Sequence, residues 1–256
     1  MLRKTCDVDH VDMLTLIIPG VVDTMERVIL ASPELEAFID RPSKHNSFKG
    51  LNLAKMFLPW LAYGAQMFTL STSQAAGLAV VAAGELGRCL PGLVLHIGAM
   101  VTLSVVEGTK ARGFSGDMFD CTRWLRETVD TKNGPETIED SLSREMALHL
   151  SFADYKENIA ASIEHLVRRY ETVFGARPAE TFVLGSVAPS LVGPGAMPGP
   201  HPRMRQVSLG SRKVVVPATD YDAMHLEAAG CMLYSDQDTP VARKLFRKTL
   251  NVFELD

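Results

Sequence analysis

The chain has 256 residues and a formal net charge of −4, with 46% hydrophobic and 22% charged residues. This composition excludes general disorder, and the net charge excludes a protein that is attracted as a whole to nucleic acid or anionic lipid. The length is sufficient for one large domain or two smaller ones. Any attraction to polyanions must therefore come from local clusters of basic residues.

The cysteines and histidines show no pattern that is typical of a metal or redox site. No two cysteines have the two-residue gap of such sites, and none of the seven histidines has the spacing of metal ligands. The N-terminal residues MLRKTCDVDH lack the apolar core of a signal peptide. We therefore expect no metal and no cofactor, in a chain kept in a reducing, cytoplasm-like space. The cysteines are Cys6, Cys89, Cys121 and Cys231.

Two long stretches, 56–84 and 89–106, carry no formal charge. Proline, glycine and polar side chains interrupt both stretches, which is costly in a bilayer. They therefore indicate buried helices rather than membrane spans.

Apolar residues recur at spacings of three and four through most of the chain, the period of a helix with one buried face. Only the segment 213–217, KVVVP, is strand-like. The sequence therefore predicts an all-α fold. The predicted helices are 21–30, 51–68, 74–89, 117–129, 137–150, 153–173 and 240–250.

Five prolines and three glycines lie between residues 189 and 202, a composition that neither a helix nor a central strand tolerates. We interpret 189–202 as a linker. Before it, 1–188 is predicted to form two packed helical bundles with a break near 107–117. After it, 203–256 is predicted to form a smaller helical domain.

A series of short motifs occurs in a fixed order along the chain. The motifs are LTLIIPG (14–20), DRP (40–42), KG (49–50), FTLSTSQAAGL (68–78), LSF (150–152), FGARPAE (174–180) and DAMHLEAAG (222–230). No single motif is specific, but their order and spacing over about 220 residues resemble the matrix proteins of influenza-like viruses, the orthomyxoviruses, and among them a distant, thogotovirus-like branch.

The resemblance implies a structural viral protein and no enzyme. Such a protein polymerises beneath the viral envelope and links the anionic inner leaflet of the membrane to the ribonucleoprotein, with roles in assembly and budding. Its partners would be itself, membrane, ribonucleoprotein and envelope glycoproteins. It would be found in the virion, the host cytoplasm, the inner face of the plasma membrane and the nucleus. The family's zinc-like Cys/His pattern is missing from 186–202, so no metal is expected.

Basic residues without neighbouring acids supply the candidate polyanion-binding site. Two clusters, in 199–219 and 239–253, contain no aspartate or glutamate. A weaker basic site lies in 118–127, and a histidine in an apolar run, His96, is a candidate pH sensor. The polyanion-binding candidates are Arg203, Arg205, Arg212, Lys213, Arg243, Lys244, Arg247 and Lys248, with Arg123 and Arg126 as the secondary site.

Two alternatives from other classes stay open. An RNA-binding nucleoprotein-type module would use the same basic clusters, although only Phe246 and Phe253 lie beside the second one as stacking aromatics. A catalytically dead Clp-protease-like fold is suggested by 73–84 followed by 90–98. In that alignment Ala75 occupies the position of the nucleophile and has no hydroxyl to attack a carbonyl.

Overall fold

The computed structural model divides the chain into two compact units, Met1–Thr72 and Ser73–Asp256. Residues 189–202, which are predicted to be a linker, lie inside the second unit, and the predicted division of the chain there stays a prediction. The structure describes residues 13–18, 20–22, 28–31, 49–52, 66–83, 92–98, 100–108 and 116–235.

The described part of the first unit consists mainly of β-strands. Strand β1 (Met13–Ile18) pairs in parallel with β4 (Gln66–Ser71), and β2 (Gly20–Val22) pairs antiparallel with β3 (Val28–Ala31). The helix predicted over 21–30 is therefore wrong. Its apolar residues fall into two short runs rich in valine and isoleucine, whose β-branched side chains fit a strand better than a helix.

The second unit contains a seven-stranded mixed sheet in the order β11-β12-β13-β10-β5-β6-β7. Strand β10 runs parallel to β5 and β13, and the remaining pairs are antiparallel. A separate hairpin joins β8 and β9. The strands are β5 (Gly92–Ile97), β6 (Val101–Gly108), β7 (Gly116–Asp120), β8 (Thr128–Thr131), β9 (Gly134–Thr137), β10 (Glu180–Leu184), β11 (Met197–Pro198), β12 (Met204–Leu209) and β13 (Arg212–Pro217).

Five α-helices are described, together with two short 3-10 helices. They are α1 (Thr72–Ala83), α2 (Ile138–Leu142), α3 (Arg144–His149), α4 (Phe152–Phe174) and α5 (Asp220–Ser235), with 3-10 helices at Thr122–Arg126 and Ala188–Leu191.

Helix α4 confirms the helix predicted over 153–173. Ser151 caps its start by accepting a hydrogen bond from the backbone N–H of Asp154 at 3.2 Å. Gly175 ends it in the left-handed conformation, with a φ of 71°. The helix was predicted correctly because its buried stripe appears in the sequence as apolar residues at spacings of three and four.

Sheet strands replace helices in much of the second unit. All six residues of β5 are buried, because α4 packs on one face of the sheet while α1 and α5 contact the other. A strand buried on both faces has no alternation of polar and apolar residues, so it resembles a buried helix in sequence. For this reason the uncharged stretch 89–106 was predicted to be a buried helix, although it contains β5.

The all-α fold is therefore wrong: the protein has a mixed α/β fold. The helix predicted over 117–129 consists of β7, a 3-10 helix and the start of β8, while 137–150 contains α2 and α3. The strand predicted at 213–217 is confirmed by β13. The helix predicted over 240–250 lies outside the described residues. Among the helices that the structure describes, none is both long and apolar enough to cross a bilayer.

Replacing Ile163 with alanine tests the packing of α4 on the sheet. Ile163 is fully buried in the core cluster. We expect Ile163→Ala to reduce the free energy of unfolding by about 2 to 5 kcal/mol, because it removes buried methylene groups and leaves a cavity. Denaturant titration measures this change. Arg168→Ala on the exposed face of the same helix should change stability by no more than about 0.5 kcal/mol.

Candidate functional site

Strands β5, β7, β10 and β13 run in the same direction, since β7 and β5 are each antiparallel to the β6 strand between them. Their carboxyl ends therefore meet at one edge of the sheet. In open α/β sheets, ligands bind outside the carboxyl ends of the strands. This carboxyl edge is the candidate functional site.

Asp120 is the last residue of β7 and stands at the carboxyl edge. It accepts a hydrogen bond from Ser73 Oγ at 2.6 Å and another from the backbone N–H of Thr122 at 2.9 Å. Ser73 is the second residue of α1, so Asp120 lies against the first turn of that helix. Unpaired N–H groups and the helix dipole favour a negative charge at such a position.

Burial raises the pKa of the Asp120 carboxyl above its ordinary value of 3.8, and the hydrogen bonds from Ser73 and Thr122 counteract only part of this effect. Asp120 nevertheless keeps part of its surface accessible. Asp120 is thus a half-buried residue at the carboxyl edge, and a carboxylate that is more basic than usual is suited to accepting a proton from a ligand.

The side chain of Cys121, the residue after Asp120, lies away from the Asp120 carboxyl. It is buried in the core cluster on the opposite face of the sheet. Burial raises the pKa of its thiol well above the ordinary value, and the nearby Asp120 charge adds to the increase. The thiol therefore stays protonated and is a poor nucleophile.

Glycine allows the strands to approach closely at the carboxyl edge. Gly185 follows β10 with a φ of +92°, and a Cβ at this position would lie 2.3 Å from the carbonyl oxygen of Ile97. Gly98 follows β5, and a Cβ there would lie 2.8 Å from Cε1 of His96. Any larger residue at Gly185 would force β5 and β10 apart.

His96 lies near the end of β5, and only 8% of its surface is exposed. Its Nε2 is 3.2 Å from Oε1 of Glu227 on α5, while its Nδ1 is buried and has no hydrogen-bond partner among the described residues. The structure thus places the candidate pH sensor in a buried polar pair. Its role as a sensor stays a prediction.

The basic residues of 203–213 do not form one cluster, because they lie near opposite ends of the β12–β13 hairpin. Near one end, Arg203 Nη1 is 3.0 Å from Oδ1 of Asp222 on α5. Arg205 donates from Nη1 to the backbone carbonyls of Pro202 and Met204, at 2.9 and 2.8 Å.

Near the other end of the hairpin, Arg212 forms a two-point contact with Glu164 on α4. The distances are 2.6 Å from Nε to Oε2 and 3.0 Å from Nη2 to Oε1. Hydrogen bonding to Arg212 holds the pKa of the Glu164 carboxyl below its ordinary value. Lys213 is exposed on β13. The basic residues of 199–219 have no acidic residue among them in the sequence. In the structure, however, Asp222 pairs with Arg203 and Glu164 pairs with Arg212.

Arg123 and Arg126 are exposed on the 3-10 helix that follows β7. Whether they or the residues of the hairpin contact a polyanion stays a prediction. The second basic cluster lies outside the described residues; it consists of Arg243, Lys244, Arg247 and Lys248.

No group of three or more histidine, cysteine, aspartate or glutamate side chains is arranged to hold a metal ion in the described part of the chain. The expectation of no metal and no cofactor stays a prediction.

Asp120 and its partner Ser73 were missed as site residues from the sequence. The segment around Asp120 was interpreted as a helix, which would have placed it on a surface. Ser73 begins 73–84, the segment of the protease-like alternative, in which only Ala75 is considered for chemistry. A correct strand assignment ending at Asp120 would have indicated the site, because polar residues at the carboxyl ends of strands are typical of binding sites.

Comparison with known proteins relates the chain to sugar kinases by fold. No family model and no curated protein matches the sequence. The inorganic polyphosphate/ATP-glucomannokinase of Arthrobacter sp. strain KM superposes with a TM-score of 0.55 at 14% identity, covering 90% of this chain and 78% of that one.

Two further structures are similar at lower scores. The glucokinase of Parabacteroides distasonis has a TM-score of 0.43 at 14% identity, covering 88% of this chain and 80% of that one. A ROK family transcriptional regulator, a homologue of the E. coli MLC protein, has 0.43 at 12% identity, covering 95% and 60%. At these identities, only the fold that the chain shares with the glucomannokinase is established.

The fold overturns the interpretation as a viral matrix protein. Those of the short motifs that the structure describes lie in strands, loops and helices of a mixed α/β fold; DRP (40–42) lies outside the described residues. The predictions of a non-enzyme, of a layer beneath a viral envelope, of membrane and ribonucleoprotein partners and of a virion location were wrong for the same reason. The nucleoprotein-type and protease-like alternatives do not fit this fold either.

Replacing Asp120 with asparagine is expected to stabilise the protein at neutral pH. The folded-state pKa of Asp120 is raised, so its protonated form stabilises the fold at low pH, and that stability is lost as the pH rises through the raised value. Asparagine removes the buried charge; its Oδ1 still accepts from the Thr122 N–H, and its Nδ2 donates to Ser73 Oγ, which reverses the direction of that hydrogen bond. Asp120→Asn should therefore gain about 1 kcal/mol, or roughly 2 to 4 °C in melting temperature, at pH 7.

The sign of this effect can be checked with thermal melts at two pH values. The gain from Asp120→Asn should shrink below pH 3.8, where the carboxyl is protonated in both states. Asp154→Asn is a control that should change the stability in the opposite direction, because the hydrogen bond from Lys132 lowers the pKa of Asp154. Asp154→Asn should lower the melting temperature at pH 7. A lower melting temperature for Asp120→Asn at pH 7 would contradict the burial argument.

A matched pair of glycine substitutions tests the close approach of β5 and β10. Gly185 and Gly195 have nearly the same φ, +92° and +90°, but only Gly185 would bring a Cβ against backbone atoms. Gly195→Ala should cost about 1 kcal/mol of backbone strain. Gly185→Ala should cost at least about 3 kcal/mol more, or prevent folding, because β5 and β10 must separate. Equal melting temperatures for the two variants would show that the strands can adjust.

Proposed function

We propose that this protein binds a sugar at the carboxyl edge of the second unit and transfers a phosphoryl group to one of its hydroxyls. The fold shared with a polyphosphate/ATP-glucomannokinase supports this proposal. The observation that carries it is Asp120, a half-buried residue at the carboxyl edge whose carboxyl has a raised pKa and accepts a hydrogen bond from Ser73. A sugar hydroxyl is a weak nucleophile and needs a positioned base of this kind.

The reaction assigns one task to each group. The sugar hydroxyl oxygen attacks the terminal phosphorus of ATP or polyphosphate, and the bond from that phosphorus to the bridging oxygen breaks. Asp120 accepts the hydroxyl proton, so no charge accumulates on the attacking oxygen. Ser73 and the backbone N–H of Thr122 hold the carboxylate in place while the sugar binds. Positioning and electrostatic stabilisation supply most of the catalysis in phosphoryl transfer.

Sugar binding is tested first by isothermal titration calorimetry with glucose, mannose and N-acetylmannosamine. Transfer is then followed by phosphorus NMR, with ATP and magnesium or with polyphosphate as the donor. We expect binding of at least one sugar and formation of its phosphate ester. Binding without ester formation would remove the catalytic part of the proposal, and no binding of any sugar would remove all of it.

The role of Asp120 is tested by comparing two isosteric substitutions. Asp120→Asn should reduce kcat/KM by about 100-fold or more, the usual contribution of a general base. The matched control is Glu180→Gln, because burial also raises the pKa of Glu180 but this residue begins β10 at the opposite edge of the sheet. Its kcat/KM should be unchanged. An equal loss in both variants would indicate a general effect on the fold.

The pH dependence provides a further test of the same residue. Because the base must be deprotonated, kcat/KM should fall as the pH drops through the raised pKa of Asp120, which lies above the ordinary value of 3.8. In Asp120→Asn this acidic limb should disappear from the residual activity. A limb that persists in the variant would assign the proton transfer to another group.

A further inference from the structure

Four polar side chains lie side by side on one face of the sheet in the second unit. In the register of the strands, His96 is opposite Thr102, and Ser104 is opposite Asp120. Residues directly opposite each other point to the same face, and Thr102 and Ser104 are two positions apart in one strand. All four therefore share a face, and we call them the polar row.

Two helices cover the polar row. Ser73 of α1 is hydrogen-bonded to Asp120, and Glu227 of α5 contacts His96. The helices also contact each other, since a Cβ on Gly230 of α5 would lie 2.7 Å from the backbone nitrogen of Ala79 in α1. The row is thus enclosed between the sheet and two closely packed helices.

Three atoms of the polar row are buried and lack a protein hydrogen-bond partner among the described residues: His96 Nδ1, Thr102 Oγ1 and Ser104 Oγ. A single buried polar atom without a partner is costly, and native proteins usually satisfy such atoms with water. Opposed residues in a sheet have Cβ atoms about 5 Å apart, and second neighbours along a strand are about 7 Å apart. Spacings of this size between polar groups are those that one bridging water molecule fits.

We propose that Thr102 and Ser104 are positioning residues that hold ordered water and so join the Asp120 carboxyl to the His96–Glu227 pair by a continuous hydrogen-bonded path. The inference rests on the proposed function only for its effect on sugar chemistry.

Among the described residues, the titratable side chains that face this path are Asp120, His96 and Glu227, together with the thiol of Cys231 beside Glu227. Burial raises the pKa of that thiol to about 11, so it stays neutral.

The path has a measurable consequence for Asp120. Hydroxyl and water donors stabilise the charged carboxylate, so removing them makes Asp120 a weaker acid. Ser104→Ala should lower the acid dissociation constant of Asp120 about tenfold, because it removes the hydroxyl that holds the water donating to the carboxylate. Thr102→Val should also lower this constant, but by a smaller factor, because Thr102 lies two positions farther along β6 from the residue opposite Asp120. Thr102→Ser keeps the hydroxyl and should match the wild type.

Carbon-13 NMR of the aspartate carboxyls measures this constant in the full chain, with Asp120→Asn to assign the signal. The control is Ser141→Ala, which removes a fully buried hydroxyl of α2, a helix that packs on the core behind the opposite face of the sheet. It should leave the constant unchanged. If Ser104→Ala does not fold, the comparison of Thr102→Val with Thr102→Ser carries the test by itself.

An unchanged constant in both Thr102→Val and Ser104→Ala, with a higher melting temperature for each, would overturn the inference. That result would mean that the row is dry and that the hydroxyls only cost stability. The titration uses no sugar, so its outcome is independent of the proposed function. A shifted constant in a protein that binds no sugar would support the path and remove the function.

Discussion

Burial of β5 on both faces is the constraint on which the second unit depends. Its residues Gly92–Ile97 are fully enclosed, with α4 on one side and α1 and α5 on the other. Such a strand must be apolar on the face that packs on the core. Any polar side chain on its other face must find hydrogen-bond partners inside the protein. Gly185 then allows β10 to approach β5 closely, which brings the carboxyl ends of both strands to one edge.

Asp120 shows how this architecture produces a reactive group. The helix α1 packs on the sheet and covers the end of β7, which removes water from the carboxylate, while Ser73 on that helix returns one hydrogen bond. Desolvation exceeds the compensation, so the group is more basic than a surface aspartate. The same burial that raises this pKa also lowers stability at neutral pH, a cost that is common at functional sites.

Local signals in the sequence were sufficient for part of the fold. Helix α4 was predicted because its apolar residues recur at helical spacing within the helix itself, and β13 because KVVVP is rich in β-branched residues. Strands β5 and β6 were not, since a run that is buried on both faces has no periodicity by which to distinguish strand from helix. The order of short motifs over 220 residues was then misleading, because apolar strings of this length are not specific to a fold.

The sequence by itself determined that the chain folds around a substantial apolar core, that α4 is a helix and that β13 is a strand, because these properties depend on composition and on neighbouring residues. Only the tertiary structure decided the site. Asp120 and Ser73 are 47 residues apart in the chain, and Arg212 is neutralised by Glu164, which is 48 residues away. Desolvation and ion pairing depend on which distant segments meet, and no local pattern records that.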